Sequence, residues 1–528
     1  MKKTLIFICF LFSSVLLNAQ TTFQKTIGGS SDDLGNCVQK TSDGGYIIVG
    51  ATSSFGSGLK DLYLIKIGYD GDTLWTKTYG EVSGVDEVGL FVQQTTDGGY
   101  IVSGYTNNAG LDGYLIKTFS NGNIDWAKIF HDSGGSSSSN CVQQTSDGGY
   151  VIVGFGPEEF SVSMKDISVI KINATGTILW SKYYGGGNND FGNCIQQTTD
   201  GGYIITGSTL SFGAGNSDVC LLKLDSLGAL QWSKTYGGTN NDFGNSVQQT
   251  KDGGFIITGS TQSYGSGGSD IYLIKTDSNG AELWANAYGT TSGDFSYSVR
   301  QTFDKGYIIS GSTYHFGVTL YDAYLIKTDS MGSEVWSNTF GVLGQNEYGY
   351  SVEQTNDSCY IILGNAGGIN NDIYLIKTDK NGNSGCNESD PLTITNAVVG
   401  SVFSSTTNTN LASISAINAY PIIGRGGITT TLCYSTGINE SHIDNETLNI
   451  YPNPATNQIT MEFDLAETKN TFIEIKNLLG QTVENITNTA FSKGANKIEI
   501  EINEFSKGLY FIQLQSGNKI INKKFVKQ

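Results

Sequence analysis

Carboxylates are the side chains in this sequence best placed to do chemistry. One series precedes a Val or Ile by five residues: Asp33, Glu87, Asp190, Asp242, Asp294 and Glu347, with Ser137 at the same place in one copy. A second series opens another β-rich run: Asp61, Asp112, Asp166, Asp218, Asp270, Asp322 and Asp372. Two acids at a suitable separation suffice for glycoside hydrolysis, and several together offer hard oxygen donors to cations or sugar hydroxyls. Phe55, Phe212, Tyr264 and Phe316 share one position in a longer loop, where flat apolar faces beside short polar groups would suit a carbohydrate. The alternative is structural throughout. A catalytic centre breaks symmetry, whereas acids present in every copy more often cap turns, and the aromatic rings could plug the space between neighbouring copies.

Other chemistries find little material. The three histidines, His131, His315 and His442, fall at unrelated places, so no Ser-His-Asp or Cys-His group is indicated. No cluster of His and Cys suggests zinc. Only Arg300 and Arg425 are present, too few for the arginine cluster with which a sialidase-type propeller grips a carboxylate. No Gly-rich loop followed by Lys-Ser/Thr offers a phosphate cradle. Asp70-Gly71-Asp72 lacks the rest of a calcium loop and reads as a hairpin turn. The expectation is therefore no cofactor and no defined metal site, with calcium the one ion the acids could accommodate. A net charge of −18 argues against coating nucleic acid phosphates or anionic lipid.

The elements that position these residues repeat. Asp-Gly-Gly-aromatic turns recur at Asp43, Asp97, Asp147, Asp200 and Asp252, in steps of 54, 50, 53 and 52, with degenerate copies at Asp304 and Asp357. Trp75, Trp126, Trp180, Trp232, Trp284 and Trp336 keep the same period. Each copy holds four β-rich runs, in the fourth copy 193–198, 203–208, 218–224 and 230–236. Gly, Asp and Asn between them supply hairpin-turn chemistry, and middle runs such as Tyr46-Ile47-Ile48-Val49 are apolar throughout, as in strands covered on both faces. Four antiparallel strands repeated seven times predict an all-β, seven-bladed β-propeller; a linear solenoid is the rival. The ends favour closure. The seventh copy lacks its Trp run, while residues 22–29 form an orphan run that aligns Phe23 with Trp75. That run is expected to complete the last blade as its outermost strand. The Val-Gln-Gln-Thr runs would then line a central channel, and the longer loops would share one face.

At the N-terminus, Lys2, Lys3, the apolar run 5–17 and Ala19-Gln20 read as a cleaved signal peptide, residues 1–19, with no transmembrane segment after its removal. The propeller is expected over residues 20–385. Residues 386–447, rich in Thr, Ser and Asn, read as an extended linker with room for some β-structure. Cys37, Cys141 and Cys194 share one repeat position with Ser246, Ser298 and Ser351, as small core residues would. Cys386 and Cys433 flank the low-complexity stretch, and an exported chain would permit a disulfide between them.

From residue 448 the texture changes, and runs at 458–463, 471–476, 496–502 and 508–515 suggest a small β-sandwich. Tyr451-Pro452-Asn453-Pro454, Leu479-Gly480-Gln481, Gly508-Leu509-Tyr510 and the basic end Lys523-Lys524-Phe525-Val526-Lys527 occur in one order over about eighty residues. With these motifs, 448–528 resembles the type A C-terminal sorting domain of type IX secretion substrates. The resemblance implies passage across the outer membrane and removal of the domain by a sortase-like protease. Release, or attachment to surface lipopolysaccharide, would follow. The repeats themselves resemble Gly-rich repeats of bacterial surface proteins, a likeness that transfers no site. Together these readings describe a secreted or outer-membrane-surface protein with a non-catalytic binding or adhesion role toward glycans or another surface ligand. Its rivals are an extracellular polysaccharide-active enzyme and a structural matrix component.

Overall fold

The computed structural model describes residues 21–435 and 448–528, apart from 81–83, 109, 133–135, 159–160, 315–319, 343, 369, 390–393, 399–400, 404–406, 411–413, 419–421, 425–427, 466–468, 478–481, 486–488 and 517–518. The signal peptide expected at 1–19 lies outside them. The chain divides into two compact units, one running from 20 to 435 and the other containing 436–528. Among the described residues every regular element is a strand.

In the larger unit each repeat forms one antiparallel sheet, as its hairpin turns require. The fourth repeat runs Asp190–Gln197, Tyr203–Thr209, Asp218–Leu224 and Leu230–Gly237. Its first strand begins three residues before the expected run and so takes in Asp190. A bulge between Gly192 and Cys194 breaks the alternation there. The two middle strands are buried along their whole length, which accounts for their unbroken apolar pattern.

The seventh repeat is completed from the other end of the chain. Thr22–Gly28 pairs antiparallel with Asn371–Thr378 and sets Phe23 opposite Lys377, as Trp75 stands opposite Lys66. The sheets also follow one another in cyclic order. The first strand of each repeat packs against that of the next, and Glu347–Gln354 of the seventh packs against Asp33–Lys40 of the first. Each Trp meets the aromatic after the next repeat's Gly-Gly turn, as Trp75 meets Tyr100 and Trp232 meets Phe255, both at 6.0 Å between centroids. Fully buried Phe23 shares one core cluster with Tyr46 of the first repeat.

Two expectations need correction. The closing strand is not outermost, and residues 386–447 are not simply a linker. From 388 to 435 the chain runs past the sheets in reverse order and adds a fifth strand to every one. Glu388–Ser389 joins the sixth repeat, Ile394–Val398 the fifth, Ser401–Phe403 the fourth and Thr407–Asn410 the third. Ile414–Asn418 joins the second, Ile422–Gly424 the first, and Ile428–Ser435 pairs with Thr22–Gly28 in the seventh. An added outer strand covers edges that would otherwise invite pairing with other chains. It needs only backbone hydrogen bonds, so its sequence carries no apolar alternation.

The smaller unit has two sheets. Leu448–Tyr451, Gln458–Leu465 and Gly494–Glu501 form one. Lys469–Asn477, Gly508–Ser516 and Lys519–Lys527, with the short strands Thr482–Asn485 and Thr489–Phe491, form the other. Ile459, Met461, Ile473, Ile475, Ile512 and Phe525, drawn from both sheets, share one core.

Candidate functional site

Both acid series lie where neighbouring sheets meet, and Asp33, Asp61, Asp190, Asp218, Asp242, Asp270 and Asp294 each use one oxygen as a cap. Asp242 Oδ2 accepts from Gly238 N at 2.8 Å and from Ser263 Oγ at 2.7 Å. Asp33 and Asp190 do the same with Gly29 and Ser54 and with Gly186 and Ser211. In the second series Asp61 Oδ2 accepts from Ser57 N and Gly58 N, and Asp218 Oδ2 from Ala214 N and Gly215 N. This is turn capping.

The other oxygens are the unexplained part. Oδ1 of Asp33, Asp61, Asp190, Asp218, Asp242, Asp270, Asp294 and Asp372, and both oxygens of Glu347, are buried with no hydrogen-bond partner. In five seams the two series converge in pairs on one glycine. A Cβ on Gly289 would lie 2.5 Å from both Asp270 Oδ1 and Asp294 Oδ2. One on Gly237 would collide with Asp218 Oδ1 and stand 2.7 Å from Asp242 Oδ2. Gly28, Gly185 and Gly341 bring together Asp372 with Asp33, Asp166 with Asp190, and Asp322 with Glu347. Burial and then the neighbouring acid push the Asp218 carboxyl up to about 6. Asp294 is likewise raised to about 6 by burial, with Asp270 adding to it, and Glu347 to about 8 by burial and Asp322. An acid held protonated beside a carboxylate suits glycosidase chemistry in principle. Here Asp242, Asp294 and Glu347 have no exposed surface, so no glycan reaches them.

The loop aromatics turn inward instead of facing solvent, because each fills the gap between two sheets. Phe55 packs on Tyr63 at 6.0 Å and Tyr264 on Tyr272 at 5.8 Å. The Tyr264 hydroxyl donates to Gly237 O at 2.8 Å, and Phe212 lies against Gly186 beside Asp190. Phe316 falls outside the described residues. Large exposed apolar side chains lie at the other end of the strands, on the short-hairpin turns: Tyr69, Phe119, Leu227, Phe303 and Met331, each more than half exposed.

Two arrangements escaped the sequence reading. In every repeat a buried third-strand Lys reaches the Asp of the Gly-Gly turn: Lys66–Asp43 at 3.0 Å, Lys117–Asp97 at 2.8 Å, Lys171–Asp147 at 3.0 Å, Lys223–Asp200 at 2.9 Å, Lys275–Asp252 at 3.1 Å, Lys327–Asp304 at 2.9 Å and, more loosely, Lys377–Asp357 at 3.7 Å. Burial alone would raise the Asp43 carboxyl, but hydrogen bonds from Thr41 and Lys66 hold it down at about 2. The signal was a Lys at one fixed position in an otherwise apolar strand. The second arrangement lines the cavity of about 140 Å³ where the first strands converge. Gln39, Gln93, Gln143, Gln196 and Gln248 point there, joined by Arg300. Arg300 Nε bonds Glu353 Oε1 at 2.9 Å, so one ion pair interrupts a circle of amides. Cys37, Cys141 and Cys194 stand nearby as free thiols.

Cys386 is disulfide-bonded. Its carbonyl accepts from the Gln24 amide, and Cys433 stands opposite Gln24 in the strand pairing. In the smaller unit Asn453 of the Tyr-Pro-Asn-Pro motif accepts from Val526 N at 2.9 Å, and Ala455 exchanges backbone bonds with Val526 and Gln528. The motif's start thus clasps the basic C-terminal strand, where Lys524 is exposed and Phe525 buried. Gly480 lies outside the described residues; Leu509 and Tyr510 begin the strand after Gly508, and the Tyr510 hydroxyl donates to Ser506 O at 2.8 Å.

These features define a β-repeat protein followed by a small C-terminal β unit. Residues 449–528 match the family described as the secretion system C-terminal sorting domain. That domain marks the chain as a type IX secretion substrate bound for the cell surface or the medium. Among solved structures, the chain is similar to PorZ, described as an essential bacterial surface component of the type IX secretion system of Porphyromonas gingivalis. Identity is 11% and the TM-score 0.39, over 95% of this chain and 60% of that one. A likeness of that strength assigns neither fold nor role. No curated protein matches the chain. Among the described residues no helix is long and apolar enough to cross a membrane.

Proposed function

We propose that residues 20–385 form a seven-bladed β-propeller, belted by the strand-adding segment that follows. The cyclic packing order and the equivalence of Phe23 to the six Trp residues support this reading. The mature protein acts at the outer-membrane surface or in the medium by binding, not by catalysis. The observation that supports the binding role is the exposed set Tyr69, Phe119, Leu227, Phe303 and Met331 on the short-hairpin turns, large apolar side chains that several repeats offer to a partner at the same end of their strands. Three of the five are aromatic, which favours the flat faces of sugars. The sorting domain engages the secretion machinery and its sortase-like protease after a signal peptide has taken the chain across the inner membrane. Lipopolysaccharide attachment would follow. Cys433 is the inferred partner of Cys386, which would close the belt on itself at the seam where the propeller closes.

The test is a glycan panel probed with purified protein and with a Tyr69→Ala/Phe119→Ala/Phe303→Ala variant. Binding that the triple variant loses supports this surface. Binding that survives it places the site elsewhere, and a blank panel removes glycans as the ligand class. Deleting 448–528 should strand the protein in the periplasm.

A further inference from the structure

One repeat position sets its side chains beside the cavities where the first strands converge. In repeat order its residues are Cys37, Phe91, Cys141, Cys194, Ser246, Ser298 and Ser351. Two of the serines serve the neighbouring repeat: Ser246 Oγ accepts from Val299 N at 3.4 Å and Ser351 Oγ from Val38 N at 3.2 Å. Phe91 separates Cys37 from the other thiols, so only the third and fourth repeats carry cysteines here in succession. Their strands, Ser138–Gln144 and Asp190–Gln197, are held in register on both sides of the pair. Asn140 Nδ2 donates to Gly192 O at 2.9 Å before it, and Gln197 N donates to Gln143 Oε1 after it. Cys141 Sγ lies 3.8 Å from the carbonyl of Ile195, the residue after Cys194, and the two thiols hydrogen-bond to each other. Both line a cavity of about 140 Å³. Cys194, only partly buried, also borders the glutamine-lined cavity, and Arg300 borders both.

We propose that Cys141 and Cys194 are a disulfide site that ties the third repeat to the fourth in an oxidising compartment. The structure holds the pair in its reduced form. A chain addressed to the cell surface or the medium passes through surroundings in which disulfides persist, and its Cys386 is itself disulfide-bonded. The oxidant is an external disulfide. The Cys194 thiolate attacks one of its sulfurs, which forms a mixed disulfide and releases one external thiol. Cys141 then attacks the Cys194 sulfur and displaces the second. Two S–H bonds and the external S–S bond break, one protein S–S bond forms, and the two protons and two electrons leave on the two released thiols. The order follows from the surroundings of each sulfur. The hydrogen bond from Cys141 lowers the Cys194 thiol against the cost of burial, and the Arg300 charge adds to that lowering. The same contact, and then burial, raise Cys141. Cys194 is therefore the attacking thiol and Cys141 the resolving one.

The full chain, exported to the periplasm and purified without reductant, is incubated with oxidised glutathione at pH 8. It is then denatured, alkylated with iodoacetamide and mapped by mass spectrometry. The expected result is a cross-linked peptide pair joining Cys141 to Cys194, with Cys37 alkylated. The bond spans 53 positions of the chain and constrains the unfolded state. Without reductant the parent should therefore melt about 4–5 °C above Cys141→Ser/Cys194→Ser, a variant that carries the residue of the last three repeats. In dithiothreitol that gap should close. Alkylation of both Cys141 and Cys194 after the glutathione step, or a bridge from either to Cys37, overturns the proposal. A gap unchanged by dithiothreitol would assign the pair to packing and overturn it as well.

Discussion

Replacing Phe23 by Ala should destabilise the protein as much as truncating any Trp of the other repeats. Phe23 has no exposed surface, and its ring fills the space over Gly71, where a Cβ would collide with it. It also lies 5.0 Å from the Lys25 ammonium. Truncating a buried Phe costs about 3–5 kcal/mol. A cooperative unit of the size spanning 20 to 435 has an unfolding entropy of about 0.9 kcal/mol/K at the usual per-residue value. The midpoint should therefore fall by about 3–6 °C. Phe23→Trp, which installs the residue of the other six repeats, should leave it within about 1–2 °C of the parent on the same scale. Differential scanning calorimetry on both variants decides the point. An unchanged midpoint for Phe23→Ala would mean that the N-terminal strand does not fill the seventh repeat's fourth position.

Asp200→Ala should cost about 2 kcal/mol by chemical denaturation, between the values for a surface pair and a fully buried one, because Asp200 is itself more than half exposed while Lys223 is buried. Two pH limbs are expected. Asp43, Asp97, Asp147 and Asp200 are held at about 2 in the fold, so their stabilisation is complete above about pH 4 and is lost as pH falls toward 2. Asp218 and Asp294, raised to about 6, and Glu347, raised to about 8, act oppositely. Their protonated forms suit the fold, so stability is full below about pH 4 and declines as pH rises through 6 to 8. A midpoint flat from pH 4 to 8 would contradict the paired burial. Cys386→Ser should lower stability by about 4 kcal/mol if Cys433 is the partner, from the entropy of closing a loop of that length. Peptide mapping without reductant should recover the 386–433 bridge.

The repeat was legible because hairpin turns demand Gly, Asn and Asp at fixed places, and because doubly covered strands are apolar throughout. The closing strand was legible from one alignment, Phe23 with Trp75. The reverse-running belt was not. A strand of two to eight residues that contributes mainly backbone pairing leaves no side-chain period, and seven of them spaced a few residues apart read as low complexity. The acids were found, but their pairing was not, since Asp218 and Asp242 belong to different repeats and meet only when two sheets pack. The Lys–Asp pairs were not legible because Lys223 sits in an otherwise apolar run, and Asp200, which satisfies its charge, meets it only once the strands pair. For the loop aromatics Phe55, Phe212 and Tyr264 the sequence left both a surface role and a plug between neighbouring copies open, because sequence position alone does not say which way a loop side chain folds.

Native-state hydrogen exchange over residues 22–28 tests the account most directly. This strand is hydrogen-bonded on both edges, to Asn371–Thr378 and to Ile428–Ser435. Its amides should exchange as slowly as those of Leu230–Gly237, which holds the same position in the fourth repeat. Exchange at the rate of an unstructured N-terminal segment would break the cyclic order, and the propeller reading with it.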